Sequence, residues 1–157
     1  MSQEDDRVAR IEATARVGQI QNADSPKESA QSIRGSQLVI ETQTSARLAE
    51  AHFAAMKAGD LIALSNTLHP QAQIVGPSGE IHTRESFLET YGKVFANIDR
   101  VDVTAQIIND NHAFSIYNLV FTPPQPPLRV ASLMTHDSGK IQKIEMVHDP
   151  GIFERMV

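Results

Sequence analysis

SARLAEAHFAAMKAGDLIALSNTLHPQAQIVG, residues Ser45 to Gly76, is the stretch whose reading decides the fold. Leu48, His52, Phe53 and Met56 recur at helical spacing, which predicts an amphipathic helix over 45–58 with those four residues on its buried side. Gly59 ends it. Asp60 then caps a second, shorter helix carrying Leu61, Ile62, Leu64 and Leu68, because its carboxylate can accept the unpaired N–H groups of that helix's first turn. His69-Pro70 is expected to stop this helix, since proline biases the residue before it away from the helical region. Ala72 to Gly76, which includes Ile74, is short and apolar enough to be a strand. Two helices and a strand in this order make a compact wall.

Downstream, Gly76-Pro77-Ser78-Gly79 is a turn, and Glu80 to His82 has length only for an edge strand. Thr83 caps the next helix, with Glu85 well placed in its electropositive first turn. Phe87, Leu88, Tyr91, Val94, Phe95 and Ile98 form a broad apolar stripe, so this helix lies across a sheet. From Arg100 the period changes to alternation. Val101–Ile108, Ala113–Thr122, Leu128–Thr135 and Ile141–His148 read as four antiparallel strands separated by turn chemistry. The Pro123–Pro127 connection cannot donate backbone hydrogen bonds and belongs at a rim or edge. Asp149-Pro150-Gly151 ends the last strand. In the tail, Ile152, Phe153 and Met156 can pack over a pocket mouth or a neighbouring subunit.

KAGD before an apolar helix, HPQAQI entering a strand, a helix after His82-Thr83-Arg84 and then a run of long strands together resemble the nuclear-transport-factor-2-like superfamily. Its members include ketosteroid isomerases, SnoaL-like polyketide cyclases and limonene epoxide hydrolases. The resemblance spans about residues 45–150. It implies an α+β fold, a cone-shaped cystatin-like roll with three helices packed on a curved, mostly antiparallel sheet that encloses a hydrophobic pocket. A homodimer through the outer sheet face is a further implication. Function does not follow, because this scaffold hosts enzymes, ligand binders and interaction domains alike.

Upstream, residues 1–44 read as a mobile arm preceding a 45–157 SnoaL-like domain. Val8, Ile11 and Ala15 give 6–17 a weak helical pattern, but residues 19–37 hold too little apolar surface to offset the entropy of ordering them. Leu38-Val39-Ile40, or the Val8 and Ile11 face, is the part that could dock on the domain or on a second subunit.

A chain of 157 residues is most simply one domain with a core. A net charge of −5 with both signs interspersed argues against a nucleic-acid partner, which needs a concentrated basic surface. The sequence has no cysteine, so disulfides, thiolate metal sites and cysteine nucleophiles are excluded. No run approaches the roughly 18 apolar residues of a membrane span, and the acidic N-terminus lacks a signal-peptide core, so a cytoplasmic protein is expected.

The resemblance can be tested position by position. The catalytic aspartate of the isomerases falls at Gly76, their oxyanion-donating acid at Ala131 with Val130 and Ser132 beside it, and their tyrosine at His52. Both carboxyl groups are missing, so that isomerase machinery is not expected. His52, between Leu48 and Met56, and His148, on a strand face with Ile144 and Met146, are instead the candidate acid and base. Two imidazoles in one apolar cavity suit proton transfer, because burial and mutual repulsion keep at least one neutral. The competing reading of each is a core histidine bonded to a backbone carbonyl. Asp149 can orient His148 only if the chain turns back there.

Asn118 and Ser132 are candidate ligand-positioning groups, with Met56, Phe95, Ile74 and Met146 as apolar lining. Tyr117 lies on the opposite strand face from Asn118, so one of the two points inward. His69 and His82 sit near turns and read as solvated, and His136 as exposed. Histidine spacing preorganises no metal site, and no phosphate loop or nucleophile motif is present. No cofactor is implied. Two functions follow: a SnoaL-like enzyme moving a proton on a small apolar substrate by isomerisation, cyclisation, dehydration or hydrolysis, or a non-catalytic apolar-ligand or dimerisation module. A cavity filled by Phe114, Ile116 and Met134 would favour the second.

Overall fold

Residues 43–58 are helical and form α1, with Ser45, Ala49, His52, Phe53, Ala55 and Met56 buried and Leu48 half-buried. The computed structural model describes residues 43–156. The arm expected over 1–44, with its weak helix and its docking segment, therefore lies outside the described residues except for 43 and 44, which belong to α1.

Asp60 caps α2 (Leu61–Thr67) by accepting the Ala63 N–H at 2.9 Å. The helix stops one residue earlier than the sequence suggests. Leu68 is extended (φ −95, ψ 141) and opens strand β1, which runs Leu68–Val75 rather than 72–76. His69-Pro70 is thus inside a strand and not the end of a helix. The sheet accommodates Pro70, which has no N–H to give, in the gap where the pairing of β1 with β6 (Lys140–His148) shifts between Leu68 and Gln73. Leu64 and Leu68 are buried, whereas Ile62 is 77% exposed.

β2 (Ile81–Thr83) is the short edge strand, and Thr83 caps α3 (Arg84–Phe95), its hydroxyl accepting the Ser86 N–H at 3.2 Å. Phe87, Tyr91, Val94 and Phe95 are the buried stripe of α3, and Ile98 opens the next strand. β3 (Ile98–Ile108), β4 (His112–Phe121), β5 (Leu128–Asp137) and β6 follow as an antiparallel meander. The six strands have the order β2-β1-β6-β5-β4-β3, and β1–β6 is the parallel pair. Four helices occur among the described residues, one more than the sequence suggests. The fourth, α4 (Pro150–Glu154), forms where a tail was expected because Asp149 accepts the Gly151 N–H at 2.8 Å and Pro150 fits the first helical turn.

The inward sheet face carries Tyr117, Leu119, Val130, Met134, Ile144 and Met146, all buried. Phe114 is 37% exposed and Ile116 half-buried on the opposite face, so neither fills the interior. His136 overturns its expected exposure. β5 continues to Asp137, so His136 keeps the inward phase of Val130, Ser132 and Met134 and is 8% exposed. Its Nε2 meets Ser45 Oγ, whose own proton goes to the Asp110 carbonyl at 2.9 Å.

Candidate functional site

α1, α3, the inward faces of β4, β5 and β6, and α4 converge on an apolar cavity. Its wall includes Met56 and His52 of α1, Tyr91 and Phe95 of α3, Tyr117 of β4, and Met146 and His148 of β6, with Phe153 of α4 completing it. The free space is about 10 Å³, room for one water at most.

Both imidazoles line this cavity, one from α1 and one from β6, and each is held through Nδ1. The hydroxyl proton of Thr67 goes to the Leu64 carbonyl at 2.7 Å, so Thr67 Oγ1 receives the His52 Nδ1 proton at 3.0 Å. That network assigns the Nδ1–H tautomer to His52 and leaves Nε2 as an acceptor. Burial holds its pKa down at about 4, so the ring is neutral near pH 7. His148 Nδ1 lies 3.3 Å from the Asp149 carbonyl, which can only accept, so Nδ1 again carries the proton. The backbone of Asp149 orients His148, while its carboxylate caps α4. His148 is 8% exposed, and its Nε2 is buried with no hydrogen-bond partner among the described residues.

Both phenols of the chain also line the cavity. Burial, then the nearby Glu80 charge, pushes Tyr91 up to about 12. Burial drives Tyr117 higher still, with a small opposing pull from the Ser132 hydroxyl. Both stay protonated near neutrality and can donate hydrogen bonds. Tyr117, not Asn118, is the inward member of their pair, because the β4 residues buried on the inner face are Ala113, Ser115, Tyr117, Leu119 and Phe121. Asn118 is half-buried on the outer face, opposite Arg129 and Asp102, and cannot position a ligand in this cavity.

Ser132 is buried on the inner face beside Tyr117, whose phenol its hydroxyl meets, and is not one of the residues that line the cavity. Ile74 is fully buried beside Ile144, which lines the cavity in its place. His69 Nδ1 accepts the Gln71 N–H at 3.1 Å, and His82 pairs with Ser86 Oγ at 3.3 Å with its ring edge-on to Tyr91. No group of three or more His, Asp or Glu side chains suited to a metal occurs among the described residues.

Glu80 has a place that sequence reasoning missed. Gly76 continues the inward phase of Ala72 and Ile74, and a Cβ there would collide with the Glu80 carboxylate, which occupies the vacant space. The Ser78 N–H holds Oε2 at 2.9 Å. Since Tyr91 and Tyr117 are the chain's two tyrosines, a pH titration of phenolate absorbance reads them without background. Glu80→Gln is expected to lower the first ionisation while burial keeps it above the ordinary value of about 10. An unmoved first ionisation would place the carboxylate away from Tyr91.

Residues 49–144, more than half of the chain, match the SnoaL-like domain family. The chain belongs to that family. Its fold is shared by a candidate ketosteroid isomerase from Kribbella flavida DSM 17836 (16% identity, TM-score 0.61, covering 69% of this chain and 80% of that one). A nuclear-transport-factor-2-like protein of unknown function from Burkholderia xenovorans LB400 is similar at 20% identity and TM-score 0.61, covering 73% and 94%. A candidate SnoaL-like polyketide cyclase from Jannaschia sp. CCS1 has 11% identity and TM-score 0.61, covering 74% and 92%. No curated protein sequence matches this chain. At these identities the likeness concerns the fold, so the chemistry of this SnoaL-like domain is argued from its own side chains. None of its described helices is long and apolar enough to cross a membrane.

Proposed function

We propose that this SnoaL-like domain is an enzyme that moves a proton on a small, largely apolar substrate, in an isomerisation, cyclisation, dehydration or hydrolysis. One observation carries the reading: His148 lines the cavity, and its buried Nε2 has no hydrogen-bond partner among the described residues. An unsatisfied buried acceptor costs about 1–3 kcal/mol, a cost removed when a ligand donates to it or gives it a proton. His148 is the proton acceptor in this scheme. Neutral His52 accepts a hydrogen bond through Nε2, and the Tyr117 and Tyr91 phenols donate to an oxygen on which charge develops. These side chains suffice for the chemistry without a cofactor.

The non-catalytic reading is favoured by the roughly 10 Å³ of free space, which leaves a ligand no room while Phe153 is in place. Turnover separates the two. With a substrate found by screening apolar carbonyl compounds and epoxides, the enzyme reading expects loss of turnover in His148→Gln with folding retained. Wild-type turnover in that variant refutes the assignment of His148, and inactivity of the wild type on every substrate favours the binding module.

The reading includes a cytoplasmic homodimer. Ile107, Phe114, Ile116 and Val147 share the outer sheet face, and Ile107 and Val147 are 69% and 67% exposed, which suits a self-complementary apolar contact. Ile107→Glu is expected to sediment as a monomer where the wild type sediments as a dimer. Identical sedimentation of the two would remove the outer face as the interface.

A further inference from the structure

α4 is the shortest helix of the cavity wall, and Ile152, Phe153 and Met156 at its end pack against the core only partly buried. It has five residues and none is buried, yet its Phe153 ring contacts two rings of the cavity. The Tyr91 ring is 4.5 Å away between centroids and tilted 37°, and the His148 ring is 5.1 Å away and tilted 40°. Both are tilted ring contacts within the centroid range of favourable aromatic pairs. Phe153 has no polar atom, so it fills the space between these rings without answering the bare Nε2 of His148.

We propose that Phe153 holds the place of a ligand ring: the slot between Tyr91 and His148 is a ring-stacking subsite for a planar ring carrying an O–H or N–H donor. The ligand enters by displacing Phe153, and α4 is the piece that moves. This rests on the cavity described under the proposed function but requires no reaction there.

Three features support exchange of one ring for another. A ligand ring of this kind restores the contact with Tyr91 that Phe153 gives up and, with its donor set at the edge of the tilted His148 ring where the Nε2 lone pair lies, adds the hydrogen bond that Phe153 cannot make. The start of the helix is held by two polar bonds, the Asp149 carboxylate on Gly151 N at 2.8 Å and a long contact of 3.4 Å from Phe153 N to the Asp149 carbonyl, and its end by the Arg155 and Met156 N–H groups on the Phe153 carbonyl. The Asp149 carbonyl also receives His148 Nδ1–H, so the lid's first turn and the orientation of the imidazole share one acceptor. Loss of the long contact leaves the carbonyl wholly to His148, and the ring that meets the ligand stays oriented while the lid opens.

The probes are 2-naphthol and naphthalene, of similar shape, one with an O–H donor. Calorimetry is expected to give Phe153→Ala at least about tenfold tighter 2-naphthol binding than the wild type, because the competing ring is gone. The variant should prefer 2-naphthol to naphthalene, and adding His148→Phe should erase that preference. In the wild type, saturating 2-naphthol should speed amide hydrogen exchange in residues 150–156. That measurement stands even if Phe153→Ala does not fold. Binding with α4 exchange unchanged or slowed overturns the proposal, as does no 2-naphthol binding by the wild type and the folded variant. Binding as expected with no turnover on any substrate would sink the enzyme reading and leave this inference standing.

Discussion

Replacing His148 with glutamine is expected to lower turnover by about 10²- to 10⁴-fold with KM little changed, the range that one positioned general base contributes. The size follows from what the substitution keeps. A glutamine carbonyl can accept a hydrogen bond where Nε2 now stands bare, so binding survives. It cannot take up a proton near neutral pH, so the chemical step does not. His148→Ala is the less clean variant, because it also removes the ring stacked 5.1 Å from Phe153 and loosens α4. A fall in kcat shared by both variants, with KM raised only in the alanine variant, separates proton transfer from packing. His52→Gln is expected to act more mildly, since a ring with a pKa of about 4 is a poor proton acceptor at pH 7 and contributes mainly a hydrogen bond.

The wall from Ser45 to Gly76 was legible because its signals are local. Asp60 caps the helix that follows it, and the 3.6-residue period of α1 puts His52 inside whatever else the chain does. Sequence reasoning failed where two local signals conflicted or where the deciding contact lay far along the chain. Pro70 reads as a helix stop, yet its bias toward extended backbone also suits a strand whose pairing is interrupted there. The choice between Tyr117 and Asn118 could not be made from alternation, because both faces of β4 carry apolar residues: Leu119 and Phe121 inside, Phe114 and Ile116 outside. His136 was misplaced by ending its strand at Thr135. The reversal is made by Ser138 and Gly139, both at positive φ, and the strand before them keeps its phase.

The site divides in the same way. Periodicity alone brings His52 and His148 to inward faces, whereas the apolar tail residues Ile152, Phe153 and Met156 could be read equally as cover for a pocket mouth or for a neighbouring subunit. Nothing local relates Glu80 to the space at Gly76, four residues earlier on a reversing chain. The tautomers of both imidazoles depend on Thr67 and on the Asp149 carbonyl, which a sequence pattern does not distinguish from any other hydroxyl or backbone group.

Acidification is expected to destabilise this fold through His52 by about 3 kcal/mol between pH 6.5 and pH 4. The sign follows from which state binds the proton. Unfolded, His52 has the ordinary value of 6.5; folded, burial lowers it to about 4. Between those values the unfolded chain takes up a proton that the native ring refuses, so stability is full above about pH 6.5, falls as the pH drops toward 4, and levels off below. Against a total of about 5–15 kcal/mol for a typical domain, this is a large share. His52→Leu isolates it. The leucine fills an apolar position, and Thr67 keeps its own bond to the Leu64 carbonyl, so the variant should stay folded at pH 7. Carboxylates titrating in the same window affect both proteins alike, so the difference between their denaturant midpoints at pH 7 and pH 4 reports the histidine. The wild type should lose more stability than the variant. Parallel losses would mean that the imidazole accepts its proton in the folded state, which would make His52 a competent base beside His148 and move the division of labour in the cavity toward two equivalent imidazoles.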